Sequence, residues 1–227
     1  MVRTFSFDDS EFYHVYNRGV DKRTIFLSHR DYSRFLLALE VFNNSDSSPN
    51  FRRLLDAVRG PTSNKVRGSL VDIAAFCLMP NHFHLLVRQR GQHGVTQFMR
   101  KLGTGYTMYF NKKNERSGVL FQGRFKAVHV KSDPQLEHLA RYIHLNPLDL
   151  LESRWKDRGV KNWIRAASFL EQYPWSSYSH FLGLKSLENI LDTGLVRKYF
   201  DGGKSHAQFV RQWAVRDRGL IDDLVLD

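Results

Sequence analysis

The alternation of apolar and polar positions divides the first part of the chain into short strands and amphipathic helices. Phe12-Tyr13-His14-Val15-Tyr16 is an aromatic and β-branched run, which predicts a first strand. Behind Ser28, a suitable helix cap, apolar residues recur every three or four positions and predict a helix over about residues 29–43. The chain therefore opens with a strand followed by a helix.

Two further strands and a second helix follow a polar stretch. Residues 70–78 and 81–87 both have the composition of strands, and Met79-Pro80 joins them as a tight antiparallel pair. Apolar residues at helical spacing then predict an amphipathic helix over residues 95–109. Such a helix would pack its apolar face on the sheet.

A fourth strand and a third helix complete this region. Alternation within residues 119–131 predicts the strand, with Arg124 and Lys126 on its open face. Asp133-Pro134 is a helix-start signal, with Asp133 as cap and Pro134 at the first helical position. The helix should run from about residue 135 to residue 144, before Asn146-Pro147.

This order of elements predicts an α+β fold. Strand, helix, strand, strand, helix, strand and helix form a split βαβ pattern, an antiparallel sheet with helices on one face. We place this core in residues 1–150, with a polar insertion at about 44–69, and we expect residues 151–227 to form a loop-rich and then mostly helical C-terminal extension.

The charge of the chain narrows the class of partner. Lysine and arginine number 34 against 23 acidic residues, which gives a net charge of +11 and favours a polyanion such as nucleic acid. A basic surface without a specific partner is the alternative. No stretch approaches the length of a membrane-spanning helix and the N-terminus does not resemble a signal peptide, so we expect a cytoplasmic protein with no membrane partner.

Two histidines, His82 and His84, begin the third predicted strand. Side chains alternate along a strand, so both imidazoles point to one face while Phe83 points to the other. Two converging imidazoles can form half of a metal site. Alternatively, they are polar residues on the solvated face of a half-buried sheet.

The third helix adds a phenol and an amide. Tyr142 and Asn146 are four residues apart and share a helix face if the helix reaches that far. Two imidazoles and one amide oxygen would make a neutral set of three ligands for a divalent ion. A tyrosine, whose reference pKa is about 10, becomes a useful nucleophile beside such a cation. An ordinary core tyrosine is the alternative.

Four segments together resemble one family. They resemble the REP-associated tyrosine transposases, which are IS200-like, single-tyrosine members of the HUH-endonuclease superfamily. The resemblance covers about residues 11–183, and the four segments occur in the family's order: Met79-Pro80-Asn81-His82-Phe83-His84-Leu85-Leu86-Val87, Leu120-Phe121-Gln122-Gly123-Arg124-Phe125-Lys126, Arg141-Tyr142-Ile143-His144-Leu145-Asn146-Pro147 and Trp175-Ser176-Ser177-Tyr178.

The resemblance implies a ferredoxin-like core and a chemistry. His82 and His84 would hold Mg²⁺ or Mn²⁺, with Asn146 as the third ligand. Tyr142 would attack single-stranded DNA to give a 5′-phosphotyrosine and a free 3′-hydroxyl, and the reverse reaction would join a new end. The family recognises palindromes that fold as hairpins, and its members can be monomers or dimers.

Basic residues supply candidate DNA contacts. Arg124 and Lys126, on the strand next to the tyrosine helix, are the first candidates for phosphate contacts. The second-line candidates are Arg88, Arg100, Lys101, Lys112, Lys113 and Arg116. Two alternatives stay open: a hairpin DNA- or RNA-binding regulator that keeps the fold without catalysis, and a hydrolase in which the metal activates water.

Overall fold

The computed structural model describes residues 6–45, 68–200 and 203–215. Its centre is a four-stranded antiparallel sheet in the order β2-β3-β1-β4. β3 lies between β1 and β2 and pairs antiparallel with both, so β1 and β2 are parallel and separated, as a split βαβ unit requires. The strands are β1 (Phe12–Arg18), β2 (Val71–Met79), β3 (His82–Gln89) and β4 (Lys126–Val130).

Two helices cover one face of this sheet. α1 (His29–Val41) begins with a capping box formed by Ser28 and Asp31, and α2 (Gly94–Lys113) packs against it. Phe35 of α1 lies 5.0 Å, centroid to centroid, from the ring of Phe83 of β3. These contacts belong to the largest of the three apolar clusters among the described residues.

The other face is covered by α3 (Asp133–Leu145), so the prediction of helices on one face only is wrong. Leu139 and Ile143 of α3 pack with Leu86 in a second apolar cluster. The reason lies in β2, where all nine residues are buried and both faces therefore need a cover. The helix cap is also one residue earlier than predicted, because Ser132 accepts the backbone N–H of Gln135.

The α-helices that follow α3 form the C-terminal extension that the sequence predicted, whereas a short 3-10 helix (Val20–Lys22) lies between β1 and α1. A third apolar cluster joins Leu145 and Leu148 to Trp155, Leu170 and Val210. The extension therefore packs directly on the end of α3, and the division at residue 150 stays a prediction. Its helices are α4 (Leu148–Leu151), α5 (Trp155–Arg158), α6 (Trp163–Gln172), α7 (Tyr178–Phe181), α8 (Thr193–Phe200) and α9 (Gly203–Val215).

A segment of the extension protects the edge of the sheet. Ser176 forms an isolated antiparallel bridge with Cys77 of β2, and Leu78 donates its N–H to the carbonyl of Trp175 at 2.9 Å. The hydroxyl of Ser177 also accepts the N–H of Phe76 at 2.9 Å. An exposed edge strand invites pairing with other chains, so this part of the Trp175-Ser176-Ser177-Tyr178 motif has a structural role.

Two predicted elements differ at their ends or cannot be assessed. β4 begins only at Lys126, because Gly123 has a positive φ of 80° and Phe121 forms an isolated bridge with Gly19 instead of extending the strand. Most of the predicted insertion at 44–69 lies outside the described residues. Ser45 donates its N–H to the carbonyl of Gly68 at 2.9 Å, which brings the two ends of the insertion together.

Within the described ranges, we find no helix long and apolar enough to cross a membrane.

Candidate active site

The fold brings the histidine pair and the tyrosine together. The rings of His82 and His84 are 4.9 Å apart, and the ring of Tyr142 lies 5.7 Å from that of His84 in an edge-on arrangement. The register of the sheet explains this: His84 lies opposite Tyr16 of β1 and Cys77 of β2, on the face that α3 covers. Two segments about sixty residues apart thus meet as predicted.

A third histidine, His14 of β1, contacts His84. The sequence did not predict this contact. The Nε2 atom of His14 lies 2.9 Å from Nδ1 of His84. The alternation in β1 carried a signal, because His14 and Tyr16 occupy one face of that strand. Pairing of β1 with β3 could be expected from the split βαβ pattern, but its register could not.

His84 is buried and has one free ring nitrogen. Only 3% of the residue is exposed, and its Nε2 has no hydrogen-bond partner within the described part of the chain. Burial, with the nearby His14, His82 and Lys156, holds the pKa of His84 well below its ordinary value. The ring is therefore neutral near pH 7, which is the state in which an imidazole binds a metal.

Asn146 is buried beside the tyrosine. Its Nδ2 donates to the carbonyl of Tyr142 at 2.9 Å, and its Oδ1 has no hydrogen-bond partner among the described residues. Pro147 does not pull Asn146 out of helical conformation, because Asn146 keeps helical dihedral angles and α4 begins directly after Pro147. The amide oxygen is thus a buried acceptor that remains available.

These atoms can be tested against the needs of a divalent ion. His84 Nε2 and Asn146 Oδ1 are buried polar atoms that a cation would satisfy, and both residues contact Tyr142. His82 is half-buried, and its Nδ1 lies 2.6 Å from Asn81 Oδ1. In the described ranges no three His, Cys, Asp or Glu residues are grouped to hold a metal, so such an ion would need the amide of Asn146 beside the histidines.

Lys156, from α5 of the extension, also contacts the tyrosine. Its Nζ lies 5.4 Å from the centre of the Tyr142 ring and 3.0 Å from Asp149 Oδ2. A cation at this distance favours negative charge on a phenol oxygen. The sequence did not predict this contact, because no periodicity links Lys156 to Tyr142. The chain turns through α4 and α5 and so places Lys156 beside Tyr142.

Part of the chain matches a known protein family. Residues 53–146 match the family model described as "Transposase IS200 like", of which residues 53–67 lie outside the described ranges. The predicted resemblance to the IS200-like transposases is confirmed. The family match supports a DNA transposase role in general. No curated protein matches the chain.

A solved structure has a similar fold. It is a REP-associated tyrosine transposase bound to a REP hairpin, and it superposes with a TM-score of 0.52. The match covers 85% of this chain and 93% of the other chain at 15% sequence identity. At that identity the likeness shows the fold, and it confirms the predicted α+β class.

Only part of the basic set predicted from the transposase resemblance is exposed on or beside the histidine face of the sheet. Lys126 is exposed, and its Nζ is 5.8 Å from the centre of the Tyr16 ring, which itself lies 5.9 Å from the ring of His84. Arg124 is exposed just before β4. Lys126 is thus exposed on the histidine face of the sheet, and Arg124 is exposed two residues before it.

The second-line candidates are mostly engaged elsewhere. Arg88 points to the histidine face, but its guanidinium donates to Asp72 at 2.9 and 2.7 Å. The other five lie on α2 or in the loop after it, and α2 packs on the face of the sheet opposite α3. Of these, Lys101, Lys113 and Arg116 donate to Asn44, Asp31 and Val119 respectively, and Arg100 and Lys112 are exposed.

Proposed function

We propose that this protein cuts and rejoins single-stranded DNA beside hairpin sequences through a covalent bond to Tyr142. The observation that carries the proposal is the position of the Tyr142 ring, 5.7 Å from a buried histidine whose Nε2 has no partner among the described residues. Tyr142 itself is 2% exposed and belongs to the second apolar cluster, so the neighbouring histidine, not exposure, distinguishes it from a structural tyrosine. The match to the IS200-like transposases supports the same class of reaction.

The reaction exchanges one phosphate ester for another. Oη of Tyr142 attacks the scissile phosphorus and loses its proton, the P–O3′ bond breaks, and the departing oxygen takes up a proton as a free 3′-hydroxyl. The products are a 5′-phosphotyrosine and a 3′-end. Because one phosphodiester replaces another, the same site can run backwards with a new 3′-hydroxyl and join it.

The residues around Tyr142 fit a divalent ion. His82, His84 and Asn146 would hold Mg²⁺ or Mn²⁺, which when bound supplies positive charge for a phosphate oxygen. The contact with His14 fixes the ring of His84, so that its Nε2 stays directed to the site. Lys156 places a further cation over the phenol ring. All three proposed ligands are neutral, so the charge of an ion would be left for the DNA.

Recognition of the substrate follows from the basic surface. We propose that Arg124 and Lys126 contact backbone phosphates next to the cut, and both side chains are exposed for such contacts. The similar solved structure holds a REP hairpin, and we extend that class of ligand to this chain. Phosphate contacts fix the position of the strand, whereas base contacts would select the hairpin.

The direct test is formation of the covalent adduct. The full chain is incubated with Mn²⁺ and single-stranded oligonucleotides taken from palindromic repeats beside its gene, and adducts are resolved on a denaturing gel. We expect a protein–DNA adduct that is lost in Tyr142→Phe and retained in Tyr199→Phe, a matched control on α8. An adduct that persists in Tyr142→Phe would exclude Tyr142 as the nucleophile.

A binding-only regulator is the second candidate. It is favoured by one observation: Tyr142 is 2% exposed within the second apolar cluster, as a structural tyrosine would be. A regulator would bind hairpins in a salt-sensitive way, with the same affinity after His82→Ala and without metal. A hydrolase would instead leave cleaved DNA without an adduct.

A further inference from the structure

A basic pocket lies in the extension next to the helix that carries Lys156. It has a volume of about 340 Å³ and is lined by Leu151, Glu152, Ser153, Arg154, Arg158 and Lys161. Three cations face one carboxylate in this pocket. We propose that it binds a backbone phosphate of the DNA strand that runs to Tyr142, an inference that rests on the proposed function.

Contacts with buried residues fix the segment that lines the pocket. Trp155 is 3% exposed, and its Nε1 donates to Asp149 Oδ1 at 2.7 Å. Val160 donates its N–H to the carbonyl of Ala214 in α9 at 3.0 Å, and Gly159, with a φ of 73°, ends α5 between these anchors. The segment that carries the cations is thus attached to the core at both ends.

The positive charge of the pocket is only weakly compensated. Arg154 lies 3.5 Å from Asp157, but both side chains are about two-thirds exposed (65% and 63%), so the pair is a screened surface interaction. Glu152 accepts the backbone N–H of Lys161 at 3.4 Å. Arg158 and Lys161 have no ion pair within the described ranges. A phosphate would relieve the repulsion among these cations.

The location ties the pocket to the proposed reaction. Lys156 extends from α5 over the ring of Tyr142, whereas Arg154 and Arg158, two residues before and after it, line the pocket. Lys156 and Arg158 are two apart on α5 and point to different sides of this helix, which is about 10 Å wide with its side chains. Arg154 is the cap residue just before the helix, with a φ of 68°. A strand of a few nucleotides spans the width of the helix, because its charged phosphates recur every few ångström.

A phosphate contact is independent of base sequence, so a simple probe tests the pocket. A labelled oligothymidine of about 20 nucleotides is titrated with the full chain without metal, at several salt concentrations, and binding is followed by fluorescence anisotropy. The test variant is Arg154→Gln/Arg158→Gln/Lys161→Gln. The control is Arg165→Gln/Lys185→Gln/Arg211→Gln, which removes the same charge from exposed positions outside the pocket.

We expect the pocket variant to bind about tenfold more weakly and to lower the salt slope by about 0.7, while the control variant changes binding by less than about twofold. Equal effects of the two variants would overturn the assignment. So would a loss of binding to polyglutamate without a loss for oligothymidine, because the pocket would then suit an acidic protein. Thermal melting of both variants checks that each is folded.

The outcome separates this inference from the proposed function. Oligothymidine binding needs neither Tyr142 nor a metal, so a failure to form an adduct leaves the pocket result unaffected. Conversely, if the pocket variant binds like the control while adducts still form, only the pocket assignment is lost. In that case the strand would follow another path from Tyr142.

Discussion

Nε2 of His14 lies 2.9 Å from Nδ1 of His84, and this contact joins the two central strands directly behind the candidate metal ligand. When Nδ1 of His84 donates to His14, its Nε2 keeps the lone pair that a metal needs. Neither residue is on a loop, so the arrangement is as rigid as the sheet. His14 is thus a positioning residue for His84.

Replacing His14 should weaken metal binding without removing the nucleophile. We expect His14→Ala to raise the Mn²⁺ concentration needed for half-maximal adduct formation by about 10- to 100-fold, with the maximal rate largely recovered at saturating Mn²⁺. His129→Ala is the control, because His129 pairs with Glu11 at 2.9 Å away from the site. An unchanged Mn²⁺ dependence in His14→Ala would contradict this role.

Lys156 should accelerate the proposed attack. Its Nζ lies 5.4 Å from the Tyr142 ring centre, where a positive charge stabilises the negative charge that develops on the attacking oxygen, so Lys156→Met should slow adduct formation about tenfold. Lys156→Arg keeps the charge and should retain most of the rate, and Lys185→Met, at an exposed position, should not change it. Equal losses in Lys156→Met and Lys156→Arg would indicate a structural role instead.

His206 of α9 should make the protein less stable in acid. It is buried against His144, with Nε2 2.8 Å from His144 Nδ1, and burial together with the nearby Arg141 lowers its pKa to about 4. The unfolded state has a histidine pKa of about 6.5 and binds more protons between these values. The contribution of His206 is therefore complete above about pH 6.5 and is lost as the pH falls toward 4.

The measurement is the free energy of unfolding in urea across this range, with a chelator present. We expect His206→Gln to reduce the pH slope by up to about 1.4 kcal/mol per pH unit, the limit for one titrating group. His93→Asn, a substitution of an exposed histidine in left-handed conformation, should leave the slope unchanged. The same slope in His206→Gln and the original protein would refute the prediction.

Arg141, beside the candidate nucleophile, is enclosed by two aromatic rings of α9. Its guanidinium lies 4.3 Å from the centre of the Phe209 ring and 4.8 Å from that of Trp213, and burial lowers its pKa to about 10. A double-mutant cycle of Arg141→Met and Phe209→Leu should give a coupling of about 1–2 kcal/mol in the free energy of unfolding. The same cycle with the exposed Arg165 should give almost none; a coupling below about 0.3 kcal/mol for Arg141 would argue against a cation–π contact.

The sequence by itself determined the secondary-structure elements of the core and the types of side chain in the candidate site. Alternation and helical spacing are local properties, so the strands, α1 to α3 and the pairing of β2 with β3 could be derived from them. The same alternation places His82 and His84 on one face. Tyr142 and Asn146 lie one helical turn apart as predicted, because Asn146 keeps helical dihedral angles although Pro147 follows it.

Only the tertiary structure decided what surrounds these groups. His14 reaches His84 through strand register, and Lys156 reaches Tyr142 through two short helices that no periodicity predicts. The sequence predicted α3 with Tyr142 and Asn146 on one face, but it did not predict that α9 buries Arg141 and His144. Such contacts depend on long-range packing, in which distant elements compete to cover the same apolar surface. The identity of the candidate site residues was therefore a property of the sequence, whereas their burial and neighbours were properties of the fold.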